Sequence, residues 1–183
     1  MNVQELDRLV DGLKETFASS ESSERRAAEL LRNYASEQDD WRAFALFGEA
    51  CYTRNRVARE PEFELLLLCW DVGQESPIHN HEGQDCWMAV LDGTLEELRY
   101  PMPPSDHRGP IKASESFLYE QGGVAFIRDE MGLHLVRPVG GRAVSLHLYA
   151  TPYDECNVYC PDTGIITRKR MSDYSVRGRL IGV

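Results

Sequence analysis

The stretch Gly73–Gly93, GQESPIHNHEGQDCWMAVLDG, decides how the rest of the chain reads. It holds His79 and His81 two residues apart, with Gly73 six positions before the first histidine and Gly93 closing the segment. In an extended strand the side chains at i and i+2 leave the same face, so both imidazoles can converge on one point. Two converging imidazoles are the beginning of a divalent-metal site. The apolar run that follows ends in Asp92-Gly93, a pair that accepts the backbone angles of a tight turn, and Leu91 to Thr94 therefore predicts a β-hairpin.

Outward from this segment the texture is that of short strands. FELLLLCWD, DCWMAVLDG, TLEELRYP, GGVAFIR, HLVRP, RAVSLHLYA and GIITRKR are apolar or alternating runs, each closed by glycine, proline or a polar residue. Short strands at regular spacing predict an antiparallel barrel or sandwich. PMPPSDHRGP, residues 101–110, reads as a loop in which His107 is solvated. The locally basic stretch from Arg168 to Arg179 reads as a solvated strand face.

The N-terminal part reads differently. Val3, Leu6, Leu9, Val10, Leu13 and Phe17 recur at helical spacing up to the polar break ASSESSE. A second helix begins near Ser23, with Ala27, Leu30, Leu31 and Tyr34 on one face, and a shorter one runs through Trp41, Phe44, Ala45 and Phe47. Amphipathic helices of this kind cover another layer. The expected organisation is one domain over 1–183, a helical cap in 1–50 and a β-barrel in 51–183.

A net charge of −10 argues against a nucleic-acid surface and suits a monomeric small-molecule enzyme. No apolar run is long enough to span a bilayer, and the start MNVQELDRLV lacks the order of a signal peptide. The five cysteines (Cys51, Cys69, Cys86, Cys156 and Cys160) match neither a zinc ribbon nor a disulfide framework. Reduced thiols in the cytoplasm are the expectation. Cys156 and Cys160 read either as a redox pair or as two free thiols near a turn.

The arrangement of Gly73, His79, His81, Cys86 and Gly93 resembles the first motif of the cupin superfamily, with Cys86 where many cupins carry a glutamate ligand. That resemblance implies a mainly β fold, a cupin-type antiparallel β-barrel (jelly roll) behind the small helical cap. It also implies a third ligand from a second motif, where this chain keeps Gly123 and His134 but has Asp129 and Met131 in place of proline and glycine. His134 is the candidate; a histidine hydrogen-bonded within its strand is the other reading. Cys86 reads as a thiolate ligand or as a residue beside the ligands, and the motif does not choose. In Ser145-Leu146-His147-Leu148-Tyr149 one face is polar and the other apolar. If the apolar face packs on the helices, the hydroxyl, imidazole and phenol share the barrel cavity and can form a hydrogen-bonded chain ending at Tyr149. An exposed polar face is the alternative.

Taken together, CYTRN (Cys51–Asn55), LLLLCWDVGQESPIHNHEGQDCW (Leu65–Trp87), LDGTLEE (Leu91–Glu97), GLH (Gly132–His134) and SLHLYATPYDEC (Ser145–Cys156) resemble the cysteine dioxygenases, in register over roughly residues 40 to 167. The resemblance implies that His79, His81 and His134 bind Fe(II). It implies that Arg54, with Tyr52 beside it, holds the carboxylate of L-cysteine, and that O2 is added to the thiol to give the sulfinic acid. Ser145 and His147 would support Tyr149 near the substrate. Cys86 and Tyr149 occupy the positions that form a thioether crosslink in the animal enzymes, where many bacterial relatives have glycine for the cysteine. Cys156 corresponds to a thiol at the mouth of the pocket. A dioxygenase for another small thiol such as 3-mercaptopropionate is the nearest competitor, although relatives of that type carry glutamine at the position of Arg54. A zinc or manganese cupin acting as isomerase or hydrolase, and a metal-binding cupin sensor module without activity, are the readings from other classes.

Overall fold

A computed structural model describes residues 3–19 and 23–181 of the chain. Residues 20–22, the middle of the polar break after the first helix, lie outside the described residues. Helices α1 (Gln4–Ala18) and α2 (Ser23–Glu37) come first, followed by a short 3-10 turn (Asp40–Phe44). The strands are β1 (Thr53–Arg59), β2 (Glu64–Trp70), β3 (Ile78–His79), β4 (Asp85–Asp92), β5 (Thr94–Tyr100), β6 (Glu115–Glu120), β7 (Val124–Ile127), β8 (Leu133–Pro138), β9 (Ala143–Ala150), β10 (Glu155–Tyr159), β11 (Ile166–Arg170), β12 (Ser175–Val176) and β13 (Arg179–Leu180). They form two sheets, ordered β13-β12-β1-β2-β9-β4-β7 and β11-β10-β3-β8-β5-β6. This is the cupin fold, mainly β, with a pair of helices at the N-terminus.

The helices form because their apolar residues fall on one stripe. Leu6, Leu9, Val10 and Leu13 of α1 and Ala27, Leu31 and Tyr34 of α2 are buried together. Asp40 joins the two helices. Its Oδ2 accepts the free N–H groups of Glu5 and Leu6 at 2.9 and 3.0 Å, and its Oδ1 accepts the Tyr34 hydroxyl at 2.6 Å. A distant carboxylate thus caps the first turn of α1 and favours its dipole.

The larger sheet is covered on both sides, which explains why FELLLLCWD is apolar without alternation. Its outer face, with Leu65, Leu67, Trp87, Leu91, Val144, Leu146 and Leu148, packs on the helices. Its inner face carries Leu66, Leu68, Trp70, Cys86, Met88, Val90 and Tyr149. The apolar face of Ser145–Tyr149 is therefore the outer one, and Ser145 and His147 are buried at 0% and 3% exposure on the inner side.

The expected hairpin at Leu91–Thr94 does not form. β4 pairs with β7 and β9, whereas β5 pairs with β6 and β8 in the other sheet. Asp92-Gly93 is a corner between sheets. Gly93 has φ +75, and a Cβ there would lie 2.3 Å from the Arg142 carbonyl oxygen. The chain does turn at this glycine, but the strand beyond it finds its partners in the other sheet.

Candidate metal centre

The three histidines of the motifs meet at the inner end of the smaller sheet. His79 on β3 stands directly across from His134 on β8. His81 reaches the same point by a different route from the one its spacing predicts, because β3 ends at His79 and His81 lies in the turn beyond it. That turn is fixed from outside. Asp129 Oδ1 accepts the His81 backbone N–H at 2.7 Å and Asp129 Oδ2 accepts that of Gly83 at 2.8 Å, while Glu82 and Gly83 take positive φ. Asp129, one of the two residues that depart from the usual second motif, is thus the clamp on the first one.

One nitrogen from each of His79, His81 and His134 lies within 4.8 Å of the other two, and all three residues are buried. His79 Nδ1 is 2.9 Å from the Pro77 carbonyl oxygen and His134 Nδ1 is 2.8 Å from Glu97 Oε1. Both partners only accept, so in each ring the proton is on Nδ1 and the Nε2 lone pair faces inward. The two Nε2 atoms are 3.3 Å apart with no proton to share, and both nitrogens of His81 are buried without a partner. Lone pairs crowded in this way fit a bound cation and leave little else that would satisfy them. Burial, with His134 next to it, pushes His79 down to about 3, and burial likewise holds His81 well below its ordinary value. Both rings are therefore neutral donors at pH 7. This is a buried three-histidine metal site.

Cys86 is not among the residues within ligand reach. Burial pushes its thiol well above the ordinary value, so it is a neutral S–H on β4, paired across the sheet with Tyr149 on β9. Glu97, Arg54 and Asp85 are the charges that act on it, and Glu97 is fully buried, its Oε2 accepting from Arg99 Nε at 3.1 Å. The His134 contact and Arg99 hold Glu97 below the usual carboxylate value against the opposing effect of burial. Sequence reasoning assigns no role to Glu97, Trp70 or the Asp129 carboxylate. For Glu97 the available signal is a glutamate at an inward position of the alternating TLEELRY.

The remaining residues singled out by motif line the same cavity as His79 and His134. These are Tyr52, Arg54, His147, Tyr149 and Cys156. A wider cleft of about 550 Å³ shares Tyr52, Arg54, Pro77, Lys169 and Met171 with it and leads to the surface. Tyr52 stacks on Trp70 with ring centroids 4.5 Å apart. Arg54 is buried, its Cζ is 5.8 Å from the centre of the Tyr149 ring, and its Nε has no partner. Ser145 lies behind this wall, joined to the Trp70 indole at 2.9 Å and to His147 Nε2 at 3.0 Å; His147 Nδ1 is 3.4 Å from the Tyr149 hydroxyl. Cys156 and Cys160 are both free, and Cys156 Sγ meets Met171 Sδ at 3.8 Å. His107 is half-buried in its loop, with Nε2 3.1 Å from the Gly109 carbonyl, and belongs to no ligand group among the described residues. β11 is exposed along its length, as its basic composition predicts.

The family model for cysteine dioxygenase type I matches residues 2–161. The chain is 36% identical over 173 residues to cysteine dioxygenase type 1 of Rattus norvegicus, covering 93% of this chain and 86% of that protein. It is 32% identical over 181 residues to the protein of that name from Danio rerio, covering 97% and 90%. A crystal structure of a Thermus thermophilus protein superimposes with a TM-score of 0.50 at 22% identity, over 63% of this chain and 97% of that one, a likeness of fold alone. With the three-histidine site on the inner face of a cupin barrel, the chain belongs to the cysteine dioxygenase type I family.

Proposed function

We propose that the protein is an L-cysteine dioxygenase of the cytoplasm, using Fe(II) at His79, His81 and His134 to convert the thiol to cysteine sulfinic acid. The observation that carries the reading is Arg54, a buried guanidinium with an unpartnered Nε in the wall of the cavity that also holds His79 and His134. Its planar fork matches a carboxylate. A ferrous ion in the three-histidine site would supply the place where a thiolate and dioxygen meet and exchange electrons, chemistry that the side chains alone do not offer. The sulfur gives up four electrons on becoming a sulfinate and dioxygen takes up four, so no separate reductant is required.

The chain's own residues hold and orient. Arg54 receives the substrate carboxylate, and Tyr52, stacked on Trp70, forms the adjoining wall. The indole N–H of Trp70 can only donate, so Ser145 Oγ accepts from it and gives its own proton to His147 Nε2. The His147 proton is then on Nδ1 and points at the Tyr149 oxygen, which leaves the phenolic O–H as a donor toward the cavity. Burial raises Tyr149 above its ordinary value and holds His147 well below its own, so the relay is neutral at pH 7 with its polarity intact.

The test is oxygen consumption by iron-loaded protein with L-cysteine, with sulfinate counted against it and 3-mercaptopropionate run alongside. One sulfinate per oxygen with cysteine preferred, and a large loss of cysteine turnover at unchanged iron content in Arg54→Gln, is the expected result. Preference for 3-mercaptopropionate would overturn the substrate, and no uptake with bound iron would leave a sensor module.

A further inference from the structure

Behind the cavity wall, beside Arg54, lies a buried carboxylate of the protein's own. Glu64 is only 2% exposed and begins β2, where alternation puts it on the inner face with Leu66, Leu68 and Trp70. It lies directly across from Arg59 on one side and Tyr149 on the other. Glu64 Oε2 is 3.8 Å from Arg54 Nη2, a contact between charges that is too long for a hydrogen bond. Its Oε1 accepts from Arg59 Nη1 at 3.1 Å, and Arg56 Nη1 is 4.0 Å away.

Arg59 reaches this carboxylate because of a break in β1. The register against β2 shifts between Arg56 and Ala58, so that Arg56 faces Leu66 and Arg59 faces Glu64. An uninterrupted strand would put Arg59 on the face opposite Arg54 and Arg56, whereas the bulge returns it to theirs. Arg59 is anchored in turn by Asp154 at 2.9 Å and Arg56 by Asp173 at 3.1 Å. Three guanidiniums thus surround one carboxylate, and the hydrogen bond goes to Arg59.

A buried carboxylate this close to Arg54 is a built-in competitor for any carboxylate that Arg54 receives. We infer that Arg59 is a positioning residue for substrate binding, holding Glu64 back so that the Arg54 fork stays open to the carboxylate of the thiol substrate. The inference rests on the reading of Arg54 given above. Glu64, kept at charge-contact distance, restrains the guanidinium without occupying its donors.

Steady-state kinetics of the iron-loaded protein test this. Arg59→Gln should raise KM for L-cysteine about tenfold, as expected for the loss of one charge-assisted hydrogen bond that is partly exposed, with kcat and iron content unchanged. Inhibition by 2-aminoethanethiol, which has no carboxylate, should stay as it was. Arg59→Gln combined with Glu64→Gln should bring KM back toward the parent value, because the competitor is then neutral, and Arg59→Lys should recover most of the loss. An unchanged KM in Arg59→Gln, an equal loss of affinity for 2-aminoethanethiol, or a double variant no better than the single one would overturn the inference. Arg54→Gln separates the two readings. If it raises KM while Arg59→Gln does not, only the role of Arg59 falls; if it leaves KM unchanged, the carboxylate reading falls and this inference with it.

Discussion

Cys86 stands directly opposite Tyr149 in the antiparallel pairing of β4 with β9, and both side chains are buried on the inner face. Cross-strand partners have Cβ atoms roughly 4.5–5.5 Å apart, close enough for the thiol and the phenol ring to touch. A thioether between them removes the S–H hydrogen and one ring hydrogen, forms one C–S bond, and passes two electrons and two protons to dioxygen. We predict that intact mass falls by two hydrogens when iron-loaded protein turns over L-cysteine in air, and that Cys86→Ala abolishes the change. A mass unaltered after many turnovers would reject the crosslink.

Glu97 acts on the metal site through His134. Its Oε1 takes the Nδ1 proton while Oε2 is occupied by Arg99 and, at 3.4 Å, by the Tyr119 hydroxyl. A buried carboxylate behind an imidazole makes the ligand nitrogen more basic and fixes its ring. Glu97→Gln should lower iron affinity by about 10-fold to 100-fold in chelator competition. Glu96→Gln, next along β5 and bonded at the surface to Arg137 and Ser116, should leave it alone. Equal affinities for the parent and Glu97→Gln would remove Glu97 from the site.

The apolar strands of the barrel are legible in the sequence because each carries its own pattern, and the His79–His81 pair because its spacing is local. β1 is not legible as a strand. TRNRVAR looks like surface sequence, since the acids that neutralise Arg54, Arg56 and Arg59 come from Glu64, Asp154 and Asp173. β6 escapes for the opposite reason, being an edge strand with its polar side in solvent. The two residues that steady the histidines, Glu97 and Asp129, are 37 and 48 positions from the groups they bond. No window-based pattern joins residues that far apart; only the sheet register does.

Asp129 offers a direct test of how the turn after β3 is held. Asp129→Ala leaves the N–H groups of His81 and Gly83 without their acceptor, and the His81 N–H is in a buried residue. Charge-assisted hydrogen bonds of this kind predict a loss of about 2 kcal/mol in denaturant unfolding of the apoprotein. Iron affinity should fall with it as His81 loses its fixed position. Asp129→Asn retains one acceptor oxygen and should show a smaller change in both. Unchanged stability in Asp129→Ala would mean that the turn is held by something else.

The depressed histidines predict how stability depends on pH. In the unfolded chain an imidazole titrates near its ordinary value of 6.5, whereas folding brings His79 to about 3 and moves His81 and His147 well below 6.5, burial being the main cause in each. Between those values the unfolded chain binds protons that the folded one refuses. Stability from these groups is therefore fully present above pH 6.5 and is lost as the pH falls toward 3, at up to about 1.4 kcal/mol per pH unit for each ring. The apoprotein should melt progressively lower below pH 6.5, and His147→Asn should make the dependence shallower by one proton's worth. Iron-loaded protein should resist acid further, because metal release must precede protonation. Superimposable melting curves for the apoprotein at pH 7 and pH 5 would show that these imidazoles are not held neutral by the fold.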